Sequence, residues 1–211
     1  MIKDLLELFQ GDPNQYLTTV LTGTVDERGK HEAKCTTVHE PVTEDIWDKH
    51  IKGEIRIGIR PEKEDLVKWG CIDIDPRSYK DYASKKYLDI IKNNNLPLVP
   101  TRSKSGGLHL FLFLDNWYPV KEVLKKLHQW NNDFFQAQEI FPMNKCLNMP
   151  YFNMNATTEF ATVLITSFSS NGVVKTSLFL SKRILVISFL ERLPSAFLIS
   201  RTPILNYKSF L

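Results

Sequence analysis

Cysteine is scarce in this chain. The three present, Cys35, Cys71 and Cys146, are widely spaced and form no CxxC pair. That excludes a zinc ribbon and a secreted disulfide framework. Long apolar runs are missing as well. The stretch Ile184 to Leu190 is short and bracketed by Lys182, Arg183, Glu191 and Arg192, too interrupted to span a membrane. The opening residues, Met-Ile-Lys-Asp-Leu-Leu-Glu-Leu-Phe, carry acids inside their apolar run and do not read as a signal peptide. A reducing, cytoplasmic setting is therefore expected. Neither sign of charge dominates: 27 Lys and Arg against 24 Asp and Glu leave a net +3, too little to demonstrate a nucleic-acid partner but enough to permit a local basic groove. No GxxxxGK[ST] loop occurs, so a Walker A phosphate site is excluded.

What is present suits one sizeable core, or one domain with an appendage, in 211 residues. Ile2 to Phe9 reads as a short amphipathic helix stopped by Gly11 and Pro13. Tyr16 to Val25 reads as a strand followed by a polar turn at Asp26 to Lys30. Thr43 can cap a helix over Glu44 to Lys52, with acids in its first turn and Gly53 as its stop. Ile55 to Ile59 and Trp69 to Asp75 read as strands. Pro76 breaks the second, and Ser78 with Asp81 can open a helix running to about Lys92. Leu98 to Thr101 and Leu108 to Leu114 are predicted strands. Pro119 starts a helix to about Ala137, and Glu139 to Pro142 reads as a short strand. This alternation of strands and helices indicates an α/β (α+β) domain.

From residue 162 onward the character changes. Residues 162–211 hold one acid, Glu191, six Lys or Arg and nine serines, a charge of +5 against −2 for residues 1–161. The division predicted is thus a core over 1–161 and a basic Ser/Leu/Ile-rich tail over 162–211. Two readings of the tail stay open: a basic surface strand or helix, or a segment that did not evolve with the body, as after a reading-frame change.

Three elements carry chemistry. In Cys71-Ile72-Asp73-Ile74-Asp75, strand alternation points both carboxylates one way and both isoleucines into the core. Adjacent carboxylates repel and resist desolvation unless a cation lies between them, and the usual neutraliser is a hard divalent ion, Mg²⁺ or Mn²⁺. A strand end whose acids face water is the plainer alternative. The second element is Thr101 to His109. Its Ser/Gly turn exposes backbone N–H groups, Arg102 and Lys104 add cations, and Ser103 and Ser105 add hydroxyls, the donor set a triphosphate needs. His109 is a lone polar residue opening an apolar strand: either a core histidine bonded to a carbonyl or a donor to a phosphate oxygen. The third is Glu139, which would complete a three-carboxylate metal site. Trp47, Trp69, Trp117 and Trp130 read first as packing residues, and Lys121, Lys125 and Lys126 as a solvated helix face.

In this order the motifs resemble the archaeo-eukaryotic primase superfamily: an hDhD strand, an SxH-type strand and a later acid. The nearest look-alikes are primase-polymerases of phages and mobile elements. Their second motif reads like Arg102-Ser-Lys-Ser-Gly-Gly-Leu-His109-Leu-Phe, and their third like Glu139-Ile-Phe-Pro142 followed by Leu147-Asn-Met-Pro-Tyr151. Ile55-Arg-Ile-Gly-Ile-Arg60 also looks like that group. The resemblance covers about Leu17 to Phe160. It implies an RNA-recognition-like mixed sheet beside a smaller N-terminal α/β unit. It implies that Asp73, Asp75 and Glu139 ligate two Mg²⁺ or Mn²⁺ ions, and that Arg102, Ser103, Lys104, Ser105 and His109 hold the nucleoside triphosphate, with Asp73, Asp75, Glu139 and His109 forming the catalytic set. The activity implied is template-directed nucleotidyl transfer on single-stranded DNA, with a replicative helicase as a possible partner and a host cytoplasm as the setting if phage-encoded. Two departures stand out: Met143 and Asn144 separate Lys145 from the Phe-Pro pair, which leaves the role of Lys145 open, and the tail does not match the elements with which relatives finish the domain. The rival readings are a metal-dependent nuclease, which has no triphosphate to grip, and a catalytically silent nucleic-acid-binding module.

Overall fold

In the computed structural model, residues 2–25, 31–76, 83–103 and 106–154 are described. The predicted turn at Asp26 to Lys30, Lys104, Ser105 and the tail over 162–211 lie outside the described residues. The N-terminal unit begins with helix α1 (Ile2–Leu8), strand β1 (Tyr16–Val25) and strand β2 (His31–Val38). Helix α2 (Glu44–Lys52) has the predicted ends: the Thr43 hydroxyl accepts from the Ile46 N–H, and Gly53 takes the left-handed conformation at φ 84°. Strands β3 (Arg56–Ile59), β4 (Glu62–Lys63) and β5 (Leu66–Ile74) follow.

Helix α3 (Ser84–Asn93) is described from a later point than predicted, with Ala83 at its cap making no side-chain cap bond. The expected Ser78–Asp81 opening falls in 77–82, outside the described residues. Strands β6 (Val99–Arg102) and β7 (Leu108–Pro119) lead into helix α4 (Val120–Trp130). One π-helical turn at Asn131–Phe135 carries α4 on to strand β8 (Glu139–Phe141), and strand β9 (Leu147–Asn148) comes last.

Two sheets result, one ordered β2-β1-β3-β9 and one ordered β4-β5-β7-β6 with β8 also paired to β5. Every pairing among the described residues is antiparallel, and the class is α+β. The chain leaves the second sheet at β8 and rejoins the first at β9, tying the two together. His50 fastens that return. Its Nδ1 accepts from the Ile57 N–H at 3.1 Å and its Nε2 donates to the Pro150 carbonyl at 3.0 Å. That pairing fixes the neutral, Nε2-protonated imidazole, and burial pushes its pKa down to about 4.

The β5–β7 sheet is buried on both faces, which explains why β7 shows no polar alternation. What alternates instead is residue shape. Leu108, Leu110, Leu112 and Leu114, with Ile72, Ile74 and Ile140, pack under α3 and α4 against Tyr87, Ile91, Val123 and Leu127. Phe111 and Phe113, with Trp69, Cys71 and Phe141, pack on the opposite face against α1, α2 and β3. Phe9 joins them, its ring 5.2 Å from both Phe111 and Phe113 and 5.8 Å from Trp69. Deleting a ring so enclosed costs about 3–5 kcal/mol. Trp47, Trp69 and Trp130 are buried, as packing residues should be, whereas Trp117 is half-exposed. Lys121 and Lys125 are exposed, and Lys126 lies 5.1 Å over the Trp130 ring.

Candidate active site

The face of the sheet that carries Trp69 and Cys71 also carries Asp73, two residues further along β5. The aromatic core ends there and polar residues take its place. The register puts Asp73 opposite His109 on β7 and opposite Glu139 on β8, and His109 opposite Thr101 on β6. Directly paired residues share a face. Thr101, His109, Asp73 and Glu139 therefore form one row across four strands. Their exposure rises along the row: the His109 side chain is 6% exposed, Asp73 22% and Glu139 47%. Asp75 lies just past the end of β5, half-buried, two positions beyond Asp73.

Burial decides the state of His109. The imidazole pKa is pushed down to about 4 because the charged form would lose its hydration. Its Nε2 stands 3.6 Å from an Asp73 oxygen, too long for a hydrogen bond. At neutral pH it is a neutral donor and not the cation that charge neutralisation on a phosphate would need. Both sequence readings of His109 thus hold a part: it is buried, and it lies on the site face. Cys71, deeper on the same face, is a protonated thiol, its pKa pushed up first by burial and then by the Asp73 charge.

The Ser/Gly turn is held against the end of β5. The Ser103 N–H donates to the Gly107 carbonyl at 2.9 Å, and the Gly106 N–H to the Ser103 carbonyl at 3.1 Å. Gly107 seats the turn so closely that a Cβ there would lie 2.0 Å from the Ile74 carbonyl oxygen and 2.7 Å from Pro76 Cδ. Ser103 is buried, and the turn flanks Asp75. Arg102 is exposed at the end of β6, but its partner is Leu108, so its side chain starts from the helix-covered face and not from the row. Thr101 occupies that row position. It is 2% exposed, and its hydroxyl has no hydrogen-bond partner among the described residues. Sequence reasoning missed Thr101 because only the β6–β7 register sets it beside His109. Lys145, whose role the sequence left open, brings its Nζ to 3.7 Å from a Glu139 oxygen, both side chains being exposed.

Among the described residues, no three His, Cys, Asp or Glu side chains converge as a ready-made metal cage. Asp73 and Glu139 are nevertheless directly opposed on adjacent strands and open to solvent. Like charges so placed destabilise a sheet. This donor set is of hard oxygens with the one thiol on the face protonated, and it fits Mg²⁺ or Mn²⁺. No helix of the described residues is long and apolar enough to cross a membrane.

Comparison with known families agrees with the motif order. The model of the archaeo-eukaryotic primase domain of TOTE conflict systems matches residues 14–142, which include Asp73, Asp75, Arg102, His109 and Glu139. No curated protein matches the chain. With the match covering more than half its length and all three motifs meeting at one end of one sheet, the chain belongs to the archaeo-eukaryotic primase family, a family of primase-type nucleotidyltransferases.

Proposed function

We propose that this protein is a metal-dependent primase-polymerase that transfers nucleotidyl groups from nucleoside triphosphates, under the direction of a single-stranded DNA template. The observation that carries this reading is the row His109–Asp73–Glu139 on directly paired positions, with the glycine turn seated against the end of the acidic strand. Asp73, Asp75 and Glu139 would hold Mg²⁺ or Mn²⁺, which when bound lowers the pKa of the attacking hydroxyl and offsets charge on the pyrophosphate.

The remaining roles belong to the chain's own groups. Asp73 and Asp75, two residues apart along the same strand direction, would hold the cation that offsets the negative charge of the triphosphate at the strand end. Glu139, the most exposed of the row, faces the incoming nucleophile. Arg102, Ser103, Lys104 and Ser105, in and beside the turn between β6 and β7, would hold the triphosphate through cations and hydroxyls. His109, neutral and buried, donates one hydrogen bond to a phosphate oxygen from a fixed position, so the site need not reorganise as charge develops. A nuclease would have no use for this turn, because a phosphodiester offers no triphosphate to it.

The test is incorporation of labelled nucleotides on single-stranded DNA with Mg²⁺ or Mn²⁺, with and without primer, beside the double variant Asp73→Ala, Asp75→Ala. Metal-dependent product that disappears in the double variant is expected, and product without primer would add priming to extension. A folded wild-type protein that makes no product under any of these conditions would refute the proposal.

A further inference from the structure

Glu139 sits at the first residue of a three-residue edge strand, too short to hold its own register. A slip of one residue would turn Glu139 to the other face of the sheet. Two buried side chains meet the backbone on either side of β8. Before the strand, α4 ends in a π turn and Gln136 takes a left-handed conformation at φ 57°. The Asn131 side chain, 6% exposed, closes this turn from both sides: the Ala137 N–H donates to its Oδ1 at 2.7 Å, and its Nδ2 donates to the Ala137 carbonyl at 3.1 Å. This two-point clasp mimics a β-bridge two residues ahead of Glu139. After the strand, the Glu62 side chain, 7% exposed, accepts the Asn144 N–H at 2.7 Å, with Asn144 left-handed at φ 57°. Lys145, the neighbour of Glu139 at 3.7 Å, follows immediately.

Both clasps are anchored to β5 independently of β8. Asn131 continues α4, which packs on β5 through Val123 and Leu127, and Glu62 lies on β4, paired with Val67 of β5. Strand β5 is also the element that carries Asp73.

We propose that Asn131 and Glu62 are positioning residues that hold Glu139 in register with Asp73, and so set the metal-binding geometry without touching substrate. This rests on the reading of Glu139 as a metal ligand given above. Orientation by groups behind the ligands is worth about 10–100-fold in metal affinity or activity.

The experiment compares the full chain with Asn131→Ala, Asn131→Asp, Glu62→Ala and Glu62→Gln, each checked for a cooperative melt. Three properties are read: Mn²⁺ binding by electron paramagnetic resonance of the metal alone, amide hydrogen exchange of residues 139–141, and kcat and KM for nucleotide incorporation. Asn131→Ala and Glu62→Ala should weaken Mn²⁺ binding and lower kcat by about 10–100-fold, with exchange accelerated at 139–141 but not along β7. Nucleotide KM should stay within about twofold, because the turn between β6 and β7 is untouched. Glu62→Gln keeps the acceptor for Asn144 and should restore most of the loss. Asn131→Asp keeps the acceptor for the Ala137 N–H but sets a carboxylate oxygen against the Ala137 carbonyl in place of the donor, so it should lose at least as much as Asn131→Ala, and the Glu62 pair decides if neither Asn131 variant folds. Folded alanine variants with wild-type Mn²⁺ affinity and wild-type exchange at 139–141 would overturn the proposal, as would a raised KM with kcat unchanged. A wild-type protein that binds Mn²⁺ but transfers no nucleotide would refute the polymerase reading alone, since metal binding and exchange still judge the positioning. If wild type binds no Mn²⁺, the ligand role of Glu139 fails and the proposal is overturned with it.

Discussion

Gly107→Ala should disable the site while leaving the fold standing. An added Cβ would lie 2.0 Å from the Ile74 carbonyl oxygen, 2.7 Å from Pro76 Cδ and 3.1 Å from Ser103 Oγ. Carbon and carbonyl oxygen rest no closer than about 3.3 Å, so the turn and the strand end must part by about 1.3 Å. Ile74 is fully buried in the helix-side core and paired with Leu108, which leaves the turn as the partner that moves. Overpacking of this kind costs about 1–3 kcal/mol of stability. A displacement of about 1 Å in a group that orients a substrate costs about 10²-fold in rate. The assay is kcat/KM for nucleotide incorporation beside a thermal melt, with Gly106→Ala as the comparison. Gly106 has nothing within 4 Å of its would-be Cβ but sits at φ 85°. Its alanine should therefore cost about 1–2 kcal/mol of backbone strain without pushing the turn away. If folded Gly107→Ala is as active as Gly106→Ala, the seating of the turn against β5 is not what positions the nucleotide.

Two further outcomes follow from the same geometry. Asp73→Asn removes the like-charge opposition to Glu139, so in EDTA the variant should be as stable as wild type or up to about 1 kcal/mol more stable, while losing incorporation and any Mn²⁺-induced rise in Tm; a clearly lower Tm in EDTA would count against the opposed-carboxylate picture. His50 sets a pH dependence: burial holds its pKa near 4 in the folded chain against an ordinary 6.5, so the unfolded chain takes up a proton that the folded one refuses. Its contribution is fully present above pH of about 6.5 and is lost as pH falls through about 4, at about 1.4 kcal/mol per pH unit and about 3 kcal/mol in all. Urea melts from pH 4 to 8 should show the gap between wild type and His50→Gln narrowing as pH falls; parallel curves would contradict it.

Much of the local structure is legible along the chain because it depends on neighbours in sequence. The limits of α2 follow from Thr43 and Gly53, and β1 from its run of Thr and Val, and both appear as the pattern predicts. The sequence pattern predicts no strand over His31 to Val38, which has no hydrophobic run. That stretch is β2, a largely exposed edge strand held by its pairing with β1. Strand β7 runs five residues past the predicted Leu114, since its last part is set by pairing with Leu66 and Val67 and not by apolar content. The pattern predicts plain helix through Asn131–Phe135, whereas the π turn there goes with a clasp of the Asn131 side chain on the Ala137 backbone, a contact that helical periodicity does not register.

The same division runs through the site. Spacing alone put Asp73 and Asp75 on one face and set a glycine turn and a histidine between two strands, because alternation is a property of one strand. Whether Glu139 meets Asp73, whether Thr101 or Arg102 shares the row with His109, and whether His109 carries charge are questions about register and burial. Register is a relation between strands distant in sequence, and burial depends on what the rest of the chain lays over a residue. Sequence therefore determined the chemical inventory and the order of the motifs, which was enough to reach the family. Tertiary structure decided which of those groups stand opposite one another, and left His109 neutral, Glu139 exposed and Arg102 starting from the far face.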